Sequence, residues 1–230
     1  MCSAARVVRA EAMLTVVIPT FNAGDSLAAC LAALDGADEI IVVDGGSTDD
    51  SAAIAKRMGA HVLAAPRGRG TQLRAGGEAA RGDWLLFLHA DTRLATCWCE
   101  AVATHVATAP GCAGHFDLSL DDHAWQARVI ERGVAMRVRL LALPYGDQGL
   151  LISRRLYDEV GGFRPLALME DVDLVRRIGR RCLRRLDATA LTSAVRWRRD
   201  GWLRRSGRNL ACLALFGLGV ASTRLARFYR

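Results

Sequence analysis

The chain has 230 residues, 51% of them apolar and 24% charged, with 22 glycines and 5 prolines; this length supports one sizeable core, and the balance excludes a disordered chain. A net charge of +7 comes from 31 lysines and arginines against 24 acidic residues, with Lys56 the single lysine. Arginine forks suit phosphate-bearing substrates or anionic membranes, but an arginine excess also follows from a GC-rich genome, and without an aromatic-interleaved basic patch or a recognisable motif no nucleic-acid partner is expected.

Residues 1–12 carry basic side chains but no continuous apolar stretch of the kind a signal peptide needs, so the active site is expected to face the cytoplasm. They read as an arm or an over-extended start before Met13. Residues 14–19 form a short apolar, β-branched run broken by Phe21-Asn22-Ala23-Gly24-Asp25, after which an Ala/Leu-rich helix is predicted to about Leu34. The pattern repeats: Ile40, Ile41, Val42 and Val43 read as a strand buried on both faces, Gly45-Gly46 as a turn, and Ser47 or Thr48 as the cap of a helix to Met58. A third strand is predicted over 61–65, then an Arg/Gly loop, a helix over 71–80 and a fourth strand over 84–89. Four such units imply a mostly parallel sheet with helices on both faces.

Beyond Asp91 the rhythm becomes mixed. A helix is predicted near 97–107, a strand over 115–120, a basic helix near 125–143, a strand over 149–152 and a helix from Glu170 to about Gly179. The seven cysteines (Cys2, Cys30, Cys97, Cys99, Cys112, Cys182 and Cys212) are odd in number and irregularly spaced, and Cys97 and Cys99 form CxC rather than CxxC. They read as reduced, mostly buried thiols.

Open parallel sheets bind ligands beyond the carboxyl ends of their strands. Those ends carry Thr20-Phe21-Asn22, Asp44-Gly45-Gly46 and His89-Ala90-Asp91. Aspartates ending wholly apolar strands are loop caps or ligand contacts, and two on one sheet edge favour a site. Glu170-Asp171 opens a helix, where negative charge is favoured with or without a function.

The segments Val16-Val17-Ile18-Pro19-Thr20-Phe21-Asn22 and Ile41-Val42-Val43-Asp44-Gly45-Gly46-Ser47-Thr48-Asp49 resemble the opening of family 2 glycosyltransferases with the GT-A fold. The likeness extends through His89-Ala90-Asp91, similar to that family's DxD metal motif, to Glu170-Asp171, similar to its ED motif. Tyr145-Gly146-Asp147-Gln148-Gly149 and Gly161-Gly162-Phe163 bring it nearest to small bacterial members described as radical-SAM/selenobiology-associated. The resemblance implies a nucleotide-diphospho-sugar transferase of Rossmann-like architecture over 13–200, nucleotide-binding to about 91 and acceptor-facing from 92, followed by a basic and apolar helical segment over 201–230.

The resemblance also implies an inverting, metal-dependent transfer of a sugar from a nucleotide-sugar donor. Asp171 is then the general base and Glu170 its orienting neighbour. Asp44 holds base or ribose, joined at the nucleotide by Pro19, Thr20, Asn22, Gly45, Gly46, His89 and Ala90. Asp91 ligates Mg2+ or Mn2+; His89 stands where the motif has its first aspartate, which leaves open whether it touches the metal. Arg67-Gly68-Arg69-Gly70, with Arg74, resembles the RGKG-x-x-x-R-x-G loop of polyprenyl-phosphate sugar transferases, so Arg69 and Arg74 are phosphate contacts or a solvated turn. Asp147 and Gln148 are expected to bond donor-sugar or acceptor hydroxyls. Arg196-Trp197 matches the end of the QxxRW signature of processive members, but Ser193 replaces its glutamine, which points to single transfer.

The acceptor is unidentified, a polyprenyl or other lipid among the candidates. The apolar run 210–221, flanked by arginines, is too short to span a bilayer; it is either a packed helix or one lying on an anionic surface at the inner face of the membrane, and the basic stretch 128–139 favours the surface. Two other classes compete. A sugar nucleotidyltransferase would carry a glycine-rich basic loop directly after the first strand, where Thr20-Phe21-Asn22-Ala23-Gly24-Asp25 stands. A non-catalytic nucleotide-sugar-binding or membrane-surface protein would be expected to lack one of Asp44, Asp91 and Asp171, all of which are present.

Overall fold

The structure is a computed structural model that describes residues 12–229. The expectation of an N-terminal arm therefore lies outside the described residues, as does Cys2. One mixed sheet contains β1 (Leu14–Thr20), β2 (Glu39–Asp44), β3 (His61–Ala64), β4 (Trp84–Phe87), β5 (Thr92–Leu94), β6 (Ala113–Leu120), β7 (Leu150–Ser153) and β8 (Leu183–Thr192). Their order is β3-β2-β1-β4-β7-β6-β8-β5.

The first four strands pair in parallel, with Val16 opposite Ile40 and Leu86, as four strand–helix units require. Strand β7 runs antiparallel to β4 and to β6, β6 runs parallel to β8, and β5 pairs antiparallel with β8. The helices are α1 (Gly24–Ala32), α2 (Ser51–Arg57), α3 (Arg69–Ala79), α4 (Trp98–Thr108), α5 (Trp125–Leu141), α6 (Arg154–Glu159), α7 (Glu170–Ile178), α8 (Val195–Asp200), α9 (Trp202–Gly217) and α10 (Ser222–Tyr229).

Successive strand residues point to opposite faces, and both faces are covered. Val16, Ile18, Val42 and Leu86 pack with Leu27 of α1, Ala55 of α2 and Trp98 of α4. Val17, Ile41, Val43 and Leu85 pack on the other side with Leu73 of α3, and Val172 and Val175 of α7. The continuous apolar runs in β1, β2 and β4 follow from this two-sided burial.

Helix α2 begins later than its cap residues suggested, because the backbone N–H and hydroxyl of Ser47 both donate to Asp44 and the helix starts after Asp50. The C-terminal segment belongs to the same body. Cys212 of α9 and Leu225 of α10 are 0% and 1% exposed, in the cluster that holds Val175 and Ile178. No described helix is long and apolar enough to cross a membrane.

Candidate active site

The carboxyl ends of β2, β1 and β4 lie side by side, and two groups of polar residues gather beyond them. At β1 and β2 the two loops are clipped together. Asn22, held at a left-handed φ of 48°, accepts the Thr48 N–H through its side-chain oxygen at 2.9 Å, while its own N–H donates to the Ser47 hydroxyl at 2.9 Å. Asp44 accepts N–H groups from Gly46 and Ser47 at 3.1 and 3.0 Å. Behind them the buried amide of Gln72 donates to the carbonyls of Thr20 and Val43, both at 2.8 Å, and so ties the ends of the two strands. Arg67 lies over the Phe21 ring, 3.9 Å from its centroid.

The second group surrounds a cleft of about 270 Å³. His89 and Asp91 reach it from the end of β4, Gly146 and Asp147 from the short 3-10 turn before β7, Glu170 and Asp171 from the start of α7, and Arg69 from the start of α3. Four separate chain segments thus converge. Met169, just before Glu170, adopts a left-handed φ of 65°, a strained state for a long side chain, and that turn aims the acidic pair into the cleft.

The carboxylates of this cleft differ in their surroundings. Glu170 is 1% exposed and forms a very close ion pair with Arg69, whose guanidinium also lies 3.9 Å from Asp171. Burial raises the Glu170 carboxyl above its ordinary value, against the opposing charge of Arg69. Asp171 Oδ2 accepts the Gly146 N–H at 2.9 Å and Oδ1 the Val172 N–H at 2.8 Å, so each oxygen keeps a lone pair for a ligand. Asp91 makes no side-chain hydrogen bond or ion pair among the described residues.

Four buried atoms on residues that line the cleft lack any partner: Nε2 of His89, Oδ1 of Asp147, the hydroxyl of Tyr145 and Nε of Arg205. Burial, reinforced by the charges of Arg69 and Arg196, holds His89 well below its ordinary value and keeps the imidazole neutral. Gly146 makes room for it, since a Cβ there would lie 2.5 Å from His89 Nε2. A neutral imidazole nitrogen and carboxylate oxygens form a donor set that suits Mn2+ and tolerates Mg2+. Unsatisfied buried polar atoms are costly, and a cation beside the imidazole nitrogen or the carboxylate oxygen would lower that cost. Among the described residues no three His, Cys, Asp or Glu side chains form a ready-made cage, which fits a cation that takes its remaining ligands from substrate oxygens.

Burial also pushes the Asp147 carboxyl up to about 6, opposed by Arg137 and reinforced by Asp171. A folded-state value above the ordinary carboxylate value means that the folded chain binds this proton more tightly than the unfolded chain. Stability is then lost as pH rises from about 4 to 6, and the loss persists above that. In metal-free protein, Asp147→Asn should therefore stabilise the fold, with a gain about 2 kcal/mol larger at pH 8 than at pH 4.5. Urea unfolding at the two pH values measures this, and an equal effect at both would show that Asp147 is not raised.

Of the residues singled out in the sequence, His89, Asp91, Asp147, Glu170, Asp171 and Arg69 line the cleft, with Ala90 buried between His89 and Asp91. Pro19, Thr20, Asn22, Asp44, Gly45 and Gly46 form the neighbouring group at β1 and β2. Two residues stay apart from both. Arg74 pairs with Glu78 one turn along α3, and its side chain is 54% exposed. Gln148 is buried, its amide donating to the Phe116 carbonyl at 3.0 Å and accepting from Arg137 at 3.3 Å, and it does not line the cleft. In a helical surface the spacing of Arg74 places it beside Glu78 rather than beside Arg69; Gln148 is turned inward by its 3-10 turn.

The far wall of the cleft comes from residues not assigned a binding role above: Tyr145, Arg196, Trp197, Arg205, Asn209 and Tyr229. Asp200 organises it, accepting from Arg205 at 2.7 Å and Arg208 at 2.9 Å, and Arg205 also donates to the Tyr229 hydroxyl at 3.2 Å. The available signals were the partial match of Arg196-Trp197 to QxxRW and the place of Tyr145 in the segment Tyr145-Gly146-Asp147-Gln148-Gly149.

A model of glycosyl transferase family 2 matches residues 15–165, more than half of the chain. An uncharacterized glycosyltransferase of Mycobacterium tuberculosis is 43% identical over 79 residues, 34% of this chain and 36% of that protein. A PGL/p-HBAD biosynthesis glycosyltransferase of Mycobacterium bovis is 35% identical over 96 residues, 37% of this chain and 38% of that protein. The matched segments thus span little over a third of these relatives. Among solved structures, glucosyl-3-phosphoglycerate synthase from Mycobacterium tuberculosis, in complex with Mg2+ and UDP, superposes with a TM-score of 0.59 at 20% identity, covering 82% of this chain and 72% of that one. The same synthase with Mn2+, UDP-glucose and phosphoglyceric acid gives a TM-score of 0.58 at 20% identity, with the same coverage. The architecture is that of the GT-A fold.

Proposed function

This chain belongs to glycosyl transferase family 2, and from that premise we propose that it moves a sugar, with inversion, from a nucleotide-diphosphate-sugar to an acceptor hydroxyl. The observation that carries the proposal is the meeting of Asp91, Asp147, Glu170 and Asp171 in one cleft beside the β1 and β2 loops.

In this reaction the nucleoside lies against Thr20, Asn22, Asp44, Gly45 and Gly46, where Asp44 retains lone pairs for ribose or base donors. Asp91 would hold Mg2+ or Mn2+, in the cleft that His89 and Asp147 also line. The bound cation would offset the charge that develops on the departing diphosphate. Asp171 accepts the proton of the acceptor hydroxyl as its oxygen bonds to the anomeric carbon, and the bond between that carbon and the diphosphate oxygen breaks with its electron pair leaving on the nucleoside diphosphate. Glu170 is paired with Arg69, whose guanidinium also approaches Asp171, so the pair fixes the start of α7 beside the base. Attack from the face opposite the leaving group inverts the configuration.

The narrower kinship, with the radical-SAM/selenobiology-associated members, rests on the segment from Tyr145 to Gly149 and on Gly161-Gly162-Phe163. The acceptor in this proposal is an amphiphile met at the cytoplasmic face of the membrane, in keeping with the apolar side chains that α5 and α9 expose. Calorimetric titration with nucleoside diphosphates tests the donor side. Binding of at least one of them should require Mn2+ or Mg2+ and vanish with chelator; metal-independent binding of equal strength would count against the metal's part in it.

A further inference from the structure

A second hollow, about 710 Å³ in volume and walled mainly by apolar side chains, runs between α5 and α9. Trp125, Val129 and Val134 line one side, and Trp202, Leu203 and Leu210 the other. Most are open to solvent: Trp125 is 71% exposed, Leu203 89% and Leu210 62%. A monomeric soluble protein seldom leaves so many large apolar groups together in water. The stacked pair Trp197 and Trp202, with ring centroids 6.1 Å apart, forms part of its wall.

The groove joins the catalytic cleft. Tyr145, Trp197 and Asn209 line both. At the junction Arg137 lies over the Tyr145 ring, 3.5 Å from its centroid. Arg196 lines the cleft and Arg204 the groove, and neither forms an ion pair among the described residues. An apolar trough therefore opens into an arginine-bearing passage that leads to Asp171.

We propose that this groove is the acceptor subsite, holding the apolar chain of an anionic amphiphile whose head reaches the cleft. The proposal rests on the transfer reading above and names its acceptor class. Continuity with the cleft and the unpaired arginines favour such a ligand over a second copy of the chain. The charged side chains that line the groove are Arg137 of α5 and Arg204 of α9, with no acidic residue among them. Two identical faces would bring like charges together, whereas an anionic head meets them with opposite charge.

The test is a titration of the full chain, followed by tryptophan fluorescence, with inorganic phosphate and with butyl, octyl and dodecyl phosphate below their micelle concentrations. Affinity should rise on the order of threefold per added methylene until the groove is filled, and inorganic phosphate should not compete at matching concentrations. Val129→Glu and Leu210→Glu, both at exposed sites, should fold normally and each weaken dodecyl phosphate at least about tenfold by placing a charge among apolar groups. Their affinity for nucleoside diphosphate with Mn2+ should stay unchanged. Equal binding of inorganic and dodecyl phosphate, or full dodecyl phosphate binding by both variants, would overturn the subsite. So would a dimer in solution that Val129→Glu dissociates, because a second copy would then cover the groove. Donor turnover with chain-independent binding removes the subsite and leaves the transfer reading standing. Chain-dependent binding with no turnover of any nucleotide-sugar removes the transfer reading and the acceptor role with it.

Discussion

Asp171→Asn should lower sugar transfer at least about 10²-fold, the lower end of what a general base contributes. The amide has the same size and shape, and its oxygen can still accept the N–H of Gly146 or of Val172, the two donors now shared by the carboxylate. Loss of one negative charge in the first turn of α7 costs only about 0.3–1 kcal/mol of helix-dipole interaction. Melting temperature and nucleoside diphosphate affinity should therefore change little while transfer collapses. That separation distinguishes a base from a helix-terminal acid: a purely electrostatic role at the α7 start predicts a small loss of stability and no loss of rate. Measuring the single-turnover rate alongside thermal unfolding of the same sample reads both quantities. Near-normal transfer by the variant would remove Asp171 from the chemistry.

Asp91→Asn should abolish most of the metal-stimulated turnover and weaken Mn2+-dependent binding of nucleoside diphosphate, because a neutral amide is a poor ligand for a hard cation. The fold should be unaffected, since the Asp91 side chain makes no hydrogen bond or ion pair among the described residues that the substitution could break. The expected signature is specific. Raising Mn2+ should restore part of the activity of Asp91→Asn and none of that of Asp171→Asn, whose defect lies in proton transfer. Undiminished turnover by Asp91→Asn at low metal would show that the cation, if it acts, is held elsewhere.

Much of this arrangement was legible in the sequence because the parallel half of the sheet is buried on both faces. That burial forces continuous apolar runs in β1, β2 and β4, so the aspartates that end two of these runs stand out against them. Glu170-Asp171 was legible as part of the site only through the family resemblance, since an acidic pair at a helix start fits a purely structural role equally well; in the fold the left-handed turn at Met169 brings it to the cleft. Strand β8 was not foreseen. Its buried residues Leu186, Ala188, Ala190 and Thr192 alternate with exposed or half-exposed ones and follow an arginine-rich stretch, which hides a strand from composition. The wall built by Arg205, Asn209 and Tyr229 was equally hidden, because a terminal helix reveals what it packs on only through long-range contacts. Ser47 read as a helix cap, yet its hydrogen bonds go to Asp44, a competition between two local uses of the same hydroxyl that sequence alone does not decide.

The most direct test of the central claim is a screen of nucleotide-sugars for release of nucleoside diphosphate by the purified chain, with and without Mn2+, combined with NMR of the anomeric proton of the released or transferred sugar before it can equilibrate. At least one donor should be turned over only when metal is present, with the configuration of the anomeric carbon inverted and the activity lost in Asp171→Asn. Metal-independent turnover, retained configuration, or full activity in that variant would contradict an inverting, metal-dependent transfer centred on Asp171.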